Sequence, residues 1–311
     1  MENKKIPLIC VVGPTASGKT RLGIELAKKY NGEIVSADSM QIYKGISIAS
    51  AVATKTEMQG IPHHLLEFLE IDDTFSVADY VNLAKEKIIE IYSRGKQPIL
   101  VGGTGLYVNS LVDGISFAEQ KGDKKVLEEL KKELECYGAE YMLNKLKEID
   151  PETAKKLHPN NERRILRALE VYKTTGKTMT KQNELSKIGE PLFDTVMIGI
   201  TYNDREKLYD RINLRVDKML ENSLLEEAKT TLSLKNGVGA AQAIGHKELH
   251  KYLKGEVTLE EAVETLKRET RRYAKRQLTW FRRREDINWV FADTEDVLKK
   301  ASEIIDRRRH I

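Results

Sequence analysis

Cysteine is nearly missing from this 311-residue chain: Cys10 and Cys136 are the only two. Two are too few for a disulfide framework or a zinc site, and their scarcity points to a reducing, cytoplasmic setting. Cys10 falls inside an apolar run and is expected to be a small buried hydrophobe. No apolar run approaches the roughly 20 residues of a membrane span. The residues from Met1 to Lys5 are polar and lead directly into that first run, so no signal peptide is expected. There is no internal repeat and no low-complexity segment. What remains is a chain that is 40% hydrophobic, long enough for one large domain or two smaller ones.

The rest is organised around one stretch. Gly13-Pro14-Thr15-Ala16-Ser17-Gly18-Lys19-Thr20 fits the phosphate-loop pattern G-x-x-x-x-G-K-[ST] at every fixed position. Leu8-Ile9-Cys10-Val11-Val12 before it reads as a buried parallel strand. Leu22, Leu26 and Tyr30 after it recur every four residues, as on the buried face of a helix. Gly13 and Gly18 let the backbone wrap close to phosphate oxygens. The helix start offers free N–H groups and a partial positive charge. Lys19 adds a point charge, and the Thr20 hydroxyl is the expected Mg²⁺ ligand. The motif predicts phosphate, ATP being only one possible bearer.

Strands and helices alternate through the first part, which predicts a parallel α/β sheet. Glu33 to Ser36 reads as a strand running into Asp38, at the ligand-facing carboxyl rim. Pro62-His63-His64 lacks a third metal ligand of recognisable spacing, so structural roles are expected. Ser76 caps a helix that Gly95 ends. Pro98 to Val101 is another strand, followed by Gly102, Gly103, Thr104 and Gly105. Three glycines there mean close backbone approach, to a ligand or to a neighbouring loop. No acidic residue follows Val101, where an ATPase would place one for Mg²⁺.

From about 121 to 190 strand-like runs vanish and charge rises, which predicts a helical subdomain inserted between core parts 1–120 and 191–311. Its helix from Glu162 to Thr174 carries Arg163, Arg164 and Arg167 beside apolar Ile165, Leu166 and Leu169. Val196 to Ile200 restores the sheet. The last third is mainly helical, with Asp204 and a Thr258–Glu261 capping box as start signals. Between Lys267 and Arg284 nine basic residues face one acid, Glu269, a local excess of +8 in a chain of net charge +4. Such a cluster is the footprint of a polyanion partner. Trp280 and Phe281 stand inside it, to stack on bases or to pack.

GPTASGKT from Gly13, DSMQIY from Asp38, Pro62-His63-His64, GGTGLY from Gly102, RRILRALE from Arg163, RINLRVDKML from Arg211 and YAKRQLTWFR from Tyr273 occur in that order. As an ordered set they resemble the tRNA dimethylallyltransferase family over roughly residues 6 to 291. The resemblance implies a P-loop α/β core with a helical insertion. It also implies transfer of a dimethylallyl group from dimethylallyl diphosphate to the N6 amine of adenine-37, 3′ of the anticodon, in tRNAs reading codons that begin with U. The loop would then hold the diphosphate leaving group, with Mg²⁺ as cofactor.

Within that resemblance Asp38 is the expected general base, with Lys19, Arg211 and Arg215 on the diphosphate and Thr104 orienting the amine or the diphosphate. Which arginine touches phosphate stays open. The family's tRNA-contacting segments fall on Asp38, Ser39, Met40 and Gln41, on Arg163, Arg164, Ile165, Leu166 and Arg167, and on Gln242, Ala243, Ile244, Gly245, His246 and Lys247. Arg272 and Arg276 join them from the basic run. His246 stands where the family often has tyrosine, so its role there is open. The expected partners are the anticodon stem-loop and dimethylallyl diphosphate, the expected state a cytoplasmic monomer with no membrane. Two rivals share the loop: a nucleotide-dependent kinase, and a prenyltransferase acting on free adenine nucleotides.

Overall fold

A computed structural model of the chain describes residues 5–115, 123–186, 191–233 and 239–309. They form two compact units, one of residues 1–112 with 191–311, the other of 113–190. The boundaries expected at 121 and 190 fall outside the described residues.

The first unit is built on six parallel strands in the order β3-β2-β4-β1-β5-β6. They are β1 (Ile6–Val12), β2 (Gly32–Ser36), β3 (His63–His64), β4 (Gln97–Gly102), β5 (Phe193–Thr201) and β6 (Ile287–Phe291). Every residue of β2 and β4 is buried, as expected of parallel strands covered on both faces. Against one face lie Leu22, Leu26 and Ala27 of the helix Lys19–Lys29, in one core with Ile9, Val11, Ile198 and Ile305. The two-residue β3 and the edge strand β6 have no sequence counterpart above; β3 is too brief to show a period.

Register brings three strand ends to one rim. Val12 of β1 pairs with Gly102 of β4, and Ser36 of β2 pairs with Val101. The chain therefore leaves β1, β4 and β2 at nearly the same height, with β4 in the middle. The Ala37 N–H donates to Val101 O at 2.8 Å, and the Thr104 N–H donates to Ala37 O at 3.1 Å. Gly102 is required there, because a Cβ on it would stand 2.1 Å from Ala37 O.

The capping signals are realised. Ser76 forms a capping box with Asp79 at the head of Val77–Ser93, and Gly95 follows its end with φ +71°. Thr258 and Glu261 cap each other at the head of Leu259–Phe281. Asp204 accepts from the Glu206 N–H at the head of Arg205–Glu221. Among the described residues no helix is long and apolar enough to cross a membrane.

The second unit is helical, as its sequence predicts. Lys124–Ile149 bends at Gly138, whose φ of 80° and ψ of 169° lie outside the helical region. Glu162–Thr175 packs against it through Leu130, Met142, Leu146, Ile165, Leu166 and Leu169. This corrects one expectation. Ile165 and Leu166 are 1% and 7% exposed and fill the unit's core, so neither can face tRNA. Their apolar character was the local signal. Arg163, Arg164 and Arg167 occupy the exposed face, Arg167 bonded at 2.8 Å to the buried Glu170.

Gly102→Ala should lose about 1–3 kcal/mol of stability, the range for forcing volume into a packed site, read as a lower melting temperature. An unchanged melt would mean that the ends of β2 and β4 do not meet as described.

Candidate active site

The rim opens into a cleft of about 350 Å³. Its walls come from the glycine loop, the turn after β2, the helix Arg205–Glu221, the stretch after Gln242 and the basic helix Leu259–Phe281.

The loop has the conformation its glycines permit. Gly13 and Gly18 have φ of +145° and +99°, and a Cβ on Gly13 would stand 2.4 Å from Ile200 O. Ala16 also takes a positive φ, +62°, a cost its small side chain keeps low. Thr15, Lys19 and Thr20 line the cleft. Lys19 Nζ donates to Pro14 O at 2.6 Å, so the lysine arches back over its own loop. Ser17 Oγ, on a residue 2% exposed, has no hydrogen-bond partner among the described residues. A buried hydroxyl left so is costly unless a further polar group meets it.

The two arginines divide. Arg215 lines the cleft beside Lys19. Arg211 does not line it; its Nε donates to Ala16 O at 3.0 Å and its guanidinium lies over the Tyr202 ring, bracing the loop from outside. Burial and the Arg215 charge pull the Lys19 ammonium down to about 7, with Asp38 pulling the other way. Burial lowers Arg215 too, again opposed by Asp38. Two cations and one carboxylate thus share a partly dry pocket, which favours an incoming anion.

Asp38 enters from the end of β2, as its place after the strand predicts. Its Oδ1 accepts from the Met40 N–H at 2.9 Å. The Thr104 hydroxyl accepts from the Ser39 N–H at 3.0 Å and donates to Ser39 Oγ at 3.3 Å. Thr104 therefore holds the Asp38–Ser39 turn, beside Tyr273 of the cleft wall. Ser39, Met40 and Gln41 do line the cleft. The Gln41 amide is already engaged, accepting from Ser36 Oγ and donating to the carbonyls of Ser50 and Ala51.

In the 242–247 stretch Ala243, Ile244 and Lys247 line the cleft, and the Gln242 side chain lies outside what is described. Gly245 is buried, with φ +117° and its N–H on Glu248. His246 requires a correction. It is 0% exposed, with Nε2 2.9 Å from Glu227 Oε1 and Nδ1 2.9 Å from Thr231 Oγ1. Glu227 in turn accepts from the backbone N–H groups of Ile48 and Ala49. His246 is thus a buried brace between the Glu227 helix and the cleft wall, and no tRNA can reach it. Nothing local in the sequence marks this, because its partners lie 15 to 19 residues away.

Of the basic run, Arg276 lines the cleft and Arg272 is exposed, bonded to Glu269. Lys267 pairs with Asp217 and Arg284 with Asp286, acids outside the counted window, so the effective excess is smaller than +8. Trp280 packs on Gly105 and Phe281 is fully buried, which resolves stacking against packing in favour of packing. Cleft residues to which the sequence reading gave no site role include His63, Thr270, Tyr273 and Gln277. His63 donates from Nδ1 to Ile61 O at 2.8 Å, and burial pushes its ring below the usual histidine range. The other histidine of the pair, His64, bonds Glu33.

Fold and cleft together define a P-loop α/β protein with an anion cradle facing a lone carboxylate. Comparison narrows this class. The family model described as IPP transferase matches residues 41–284. A tRNA dimethylallyltransferase of Thermoanaerobacter pseudethanolicus is 51% identical over 291 residues, 93% of this chain and 92% of the relative. The Bacillus subtilis one is 50% identical over the same length and the same two shares. A crystal structure of the tRNA isopentenylpyrophosphate transferase of Bacillus halodurans is 45% identical, covers 98% of this chain and 96% of its own, and superposes with TM-score 0.72. A eukaryotic dimethylallyltransferase solved acting on tRNA gives TM-score 0.83 at 32% identity, over 97% of this chain and 80% of its own. The chain belongs to the IPP transferase family.

Two outcomes follow from the geometry. Because burial and the Arg215 charge lower the Lys19 ammonium to about 7, binding pyrophosphate at pH 8 should take up more protons in the native protein than in Lys19→Met. Affinity should correspondingly weaken as pH rises past 7. Calorimetry in two buffers of different ionisation enthalpy reads the uptake; equal uptake in both proteins would place the proton elsewhere. Secondly, His246→Ala should cost about 2–4 kcal/mol of stability, because it leaves Glu227 buried and short of a partner. tRNA affinity, measured well below the melt, should not change. A tRNA defect at an unaltered melting temperature would return His246 to the binding surface.

Proposed function

We propose that this protein transfers a dimethylallyl group from dimethylallyl diphosphate to the N6 amine of adenine-37 in tRNAs reading codons that begin with U. The observation that carries the reading is that Asp38 faces the same cleft as Lys19 and Arg215. Family membership at about 50% identity to named tRNA dimethylallyltransferases supports it and disfavours both rivals.

In this reading the diphosphate lies on the loop amides, Lys19 and Arg215. As the allylic C1–O bond breaks, its electron pair leaves with the diphosphate, and these groups stabilise the growing charge. The N6 lone pair forms the new C–N bond. That amine is a poor nucleophile, its lone pair being delocalised into the ring, and Asp38 takes its proton as the bond forms. Adenine must leave its stack to enter the cleft.

Mg²⁺ belongs to the same proposal. Among the described residues no group of three His, Cys, Asp or Glu could hold a metal. The exposed Thr20 hydroxyl on the cleft wall would instead hold an ion that takes its remaining ligands from diphosphate oxygens and water, the habit of Mg²⁺. When bound, the ion would neutralise diphosphate charge. Lys247 and Arg276 in the cleft, and Arg163, Arg164 and Arg167 on the second unit, would meet tRNA phosphates, which give affinity and position. A cytoplasmic monomer fits this reading.

The test is incubation with labelled dimethylallyl diphosphate, Mg²⁺ and bulk tRNA, then digestion to nucleosides. N6-(dimethylallyl)adenosine should carry the label. In single turnovers Asp38→Ala should lower the rate by roughly 10²–10⁴, the worth of a general base, with tRNA still bound. Steady ATP hydrolysis without label transfer would overturn this reading and favour the kinase.

A further inference from the structure

The motif YAKRQLTWFR has an inward face turned toward the loops that follow β1 and β4. Tyr273, Gln277 and Trp280 fall at i, i+4 and i+7 of the helix Leu259–Phe281, so they share one side of it. Gln277, 5% exposed, spends both halves of its amide on backbone. Its Oε1 accepts from the Thr15 N–H at 2.8 Å, and its Nε2 donates to Gly103 O at 2.9 Å. The glycines after β4 make room for this face. A Cβ on Gly103 would stand 2.2 Å from Gln277 Nε2, and one on Gly105 would stand 2.1 Å from the Trp280 ring. Because donor and acceptor serve different loops, the amide cannot flip without losing both bonds.

The Thr15 N–H belongs to the same planar peptide as the Pro14 carbonyl. That carbonyl receives Lys19 Nζ at 2.6 Å and the Ser17 N–H at 3.3 Å. Fixing one end of the plane fixes the other. We infer that Gln277 is a positioning residue for the diphosphate site: it locks the Pro14–Thr15 peptide, sets the resting place of Lys19, and ties the phosphate loop to the helix that carries Arg276. The inference rests on the reading of the cleft as a diphosphate site.

The variant Gln277→Met keeps the side-chain volume and loses both hydrogen bonds. Calorimetry with inorganic pyrophosphate should show affinity falling roughly tenfold, the effect of losing one or two buried hydrogen bonds. In the transfer assay KM for dimethylallyl diphosphate should rise while tRNA affinity holds, a split that general destabilisation would not produce. Melting temperature is measured alongside. Native pyrophosphate affinity in a folded variant overturns the inference. Should the variant not fold, amide hydrogen exchange in the native protein decides. A protected Thr15 N–H supports the lock, and exchange at the open-chain rate overturns it. Pyrophosphate binding needs no prenyl transfer, so the two readings fail separately. A native protein that transfers nothing, beside a variant that loses pyrophosphate, sinks the function and leaves the lock.

Discussion

At the carboxyl rim of the sheet, the end of β4 lies between the ends of β1 and β2 with space for backbone alone. Gly102 touches Ala37, Gly103 touches Gln277 and Gly105 touches Trp280, each closer than any side chain allows. Through these approaches the turn bearing Asp38, the loop bearing Lys19 and the long basic helix are held in one frame. The cleft exists because β4 ends in atoms that take up almost no volume.

Within that frame the protein keeps Lys19 and Arg215 side by side against a single carboxylate. Such a pair is unfavourable until an anion arrives, and the surrounding contacts keep it from relaxing. Arg211 holds the loop from outside and Gln277 from inside, while Lys19 rests on a carbonyl of its own loop. Binding a diphosphate would then replace a carbonyl contact with a full charge pair, without having to build the site.

Much of this is legible from sequence wherever the cause is local. The glycine loop, the caps at Ser76, Asp204 and Thr258, and Asp38 at the end of its strand each depend on neighbours a few residues away. The illegible parts depend on distant partners. Gln277 reaches Thr15 across 262 positions, and Glu227 reaches Ile48 across 179. His246 carries a polar label and sits at 0% exposure because Glu227 and Thr231 come to it. The basic run read as +8 because Asp217 and Asp286 fall outside the counted window. Ile165 and Leu166 belong with the legible part, since their helix period alone places them inward.

The sheet also has a birth order. Strands β1 to β4 are made first, and β4 closes one edge of β1. The other edge must wait for β5, whose Val196 pairs with Ile9, and β5 emerges only after residues 113–190 have been synthesised. At ribosomal rates of roughly 5–20 residues per second, those residues alone keep a fully apolar strand edge open for seconds. The helical unit can fold within that interval from contacts of its own. A nascent chain stalled inside it would expose β1 as a template for another strand.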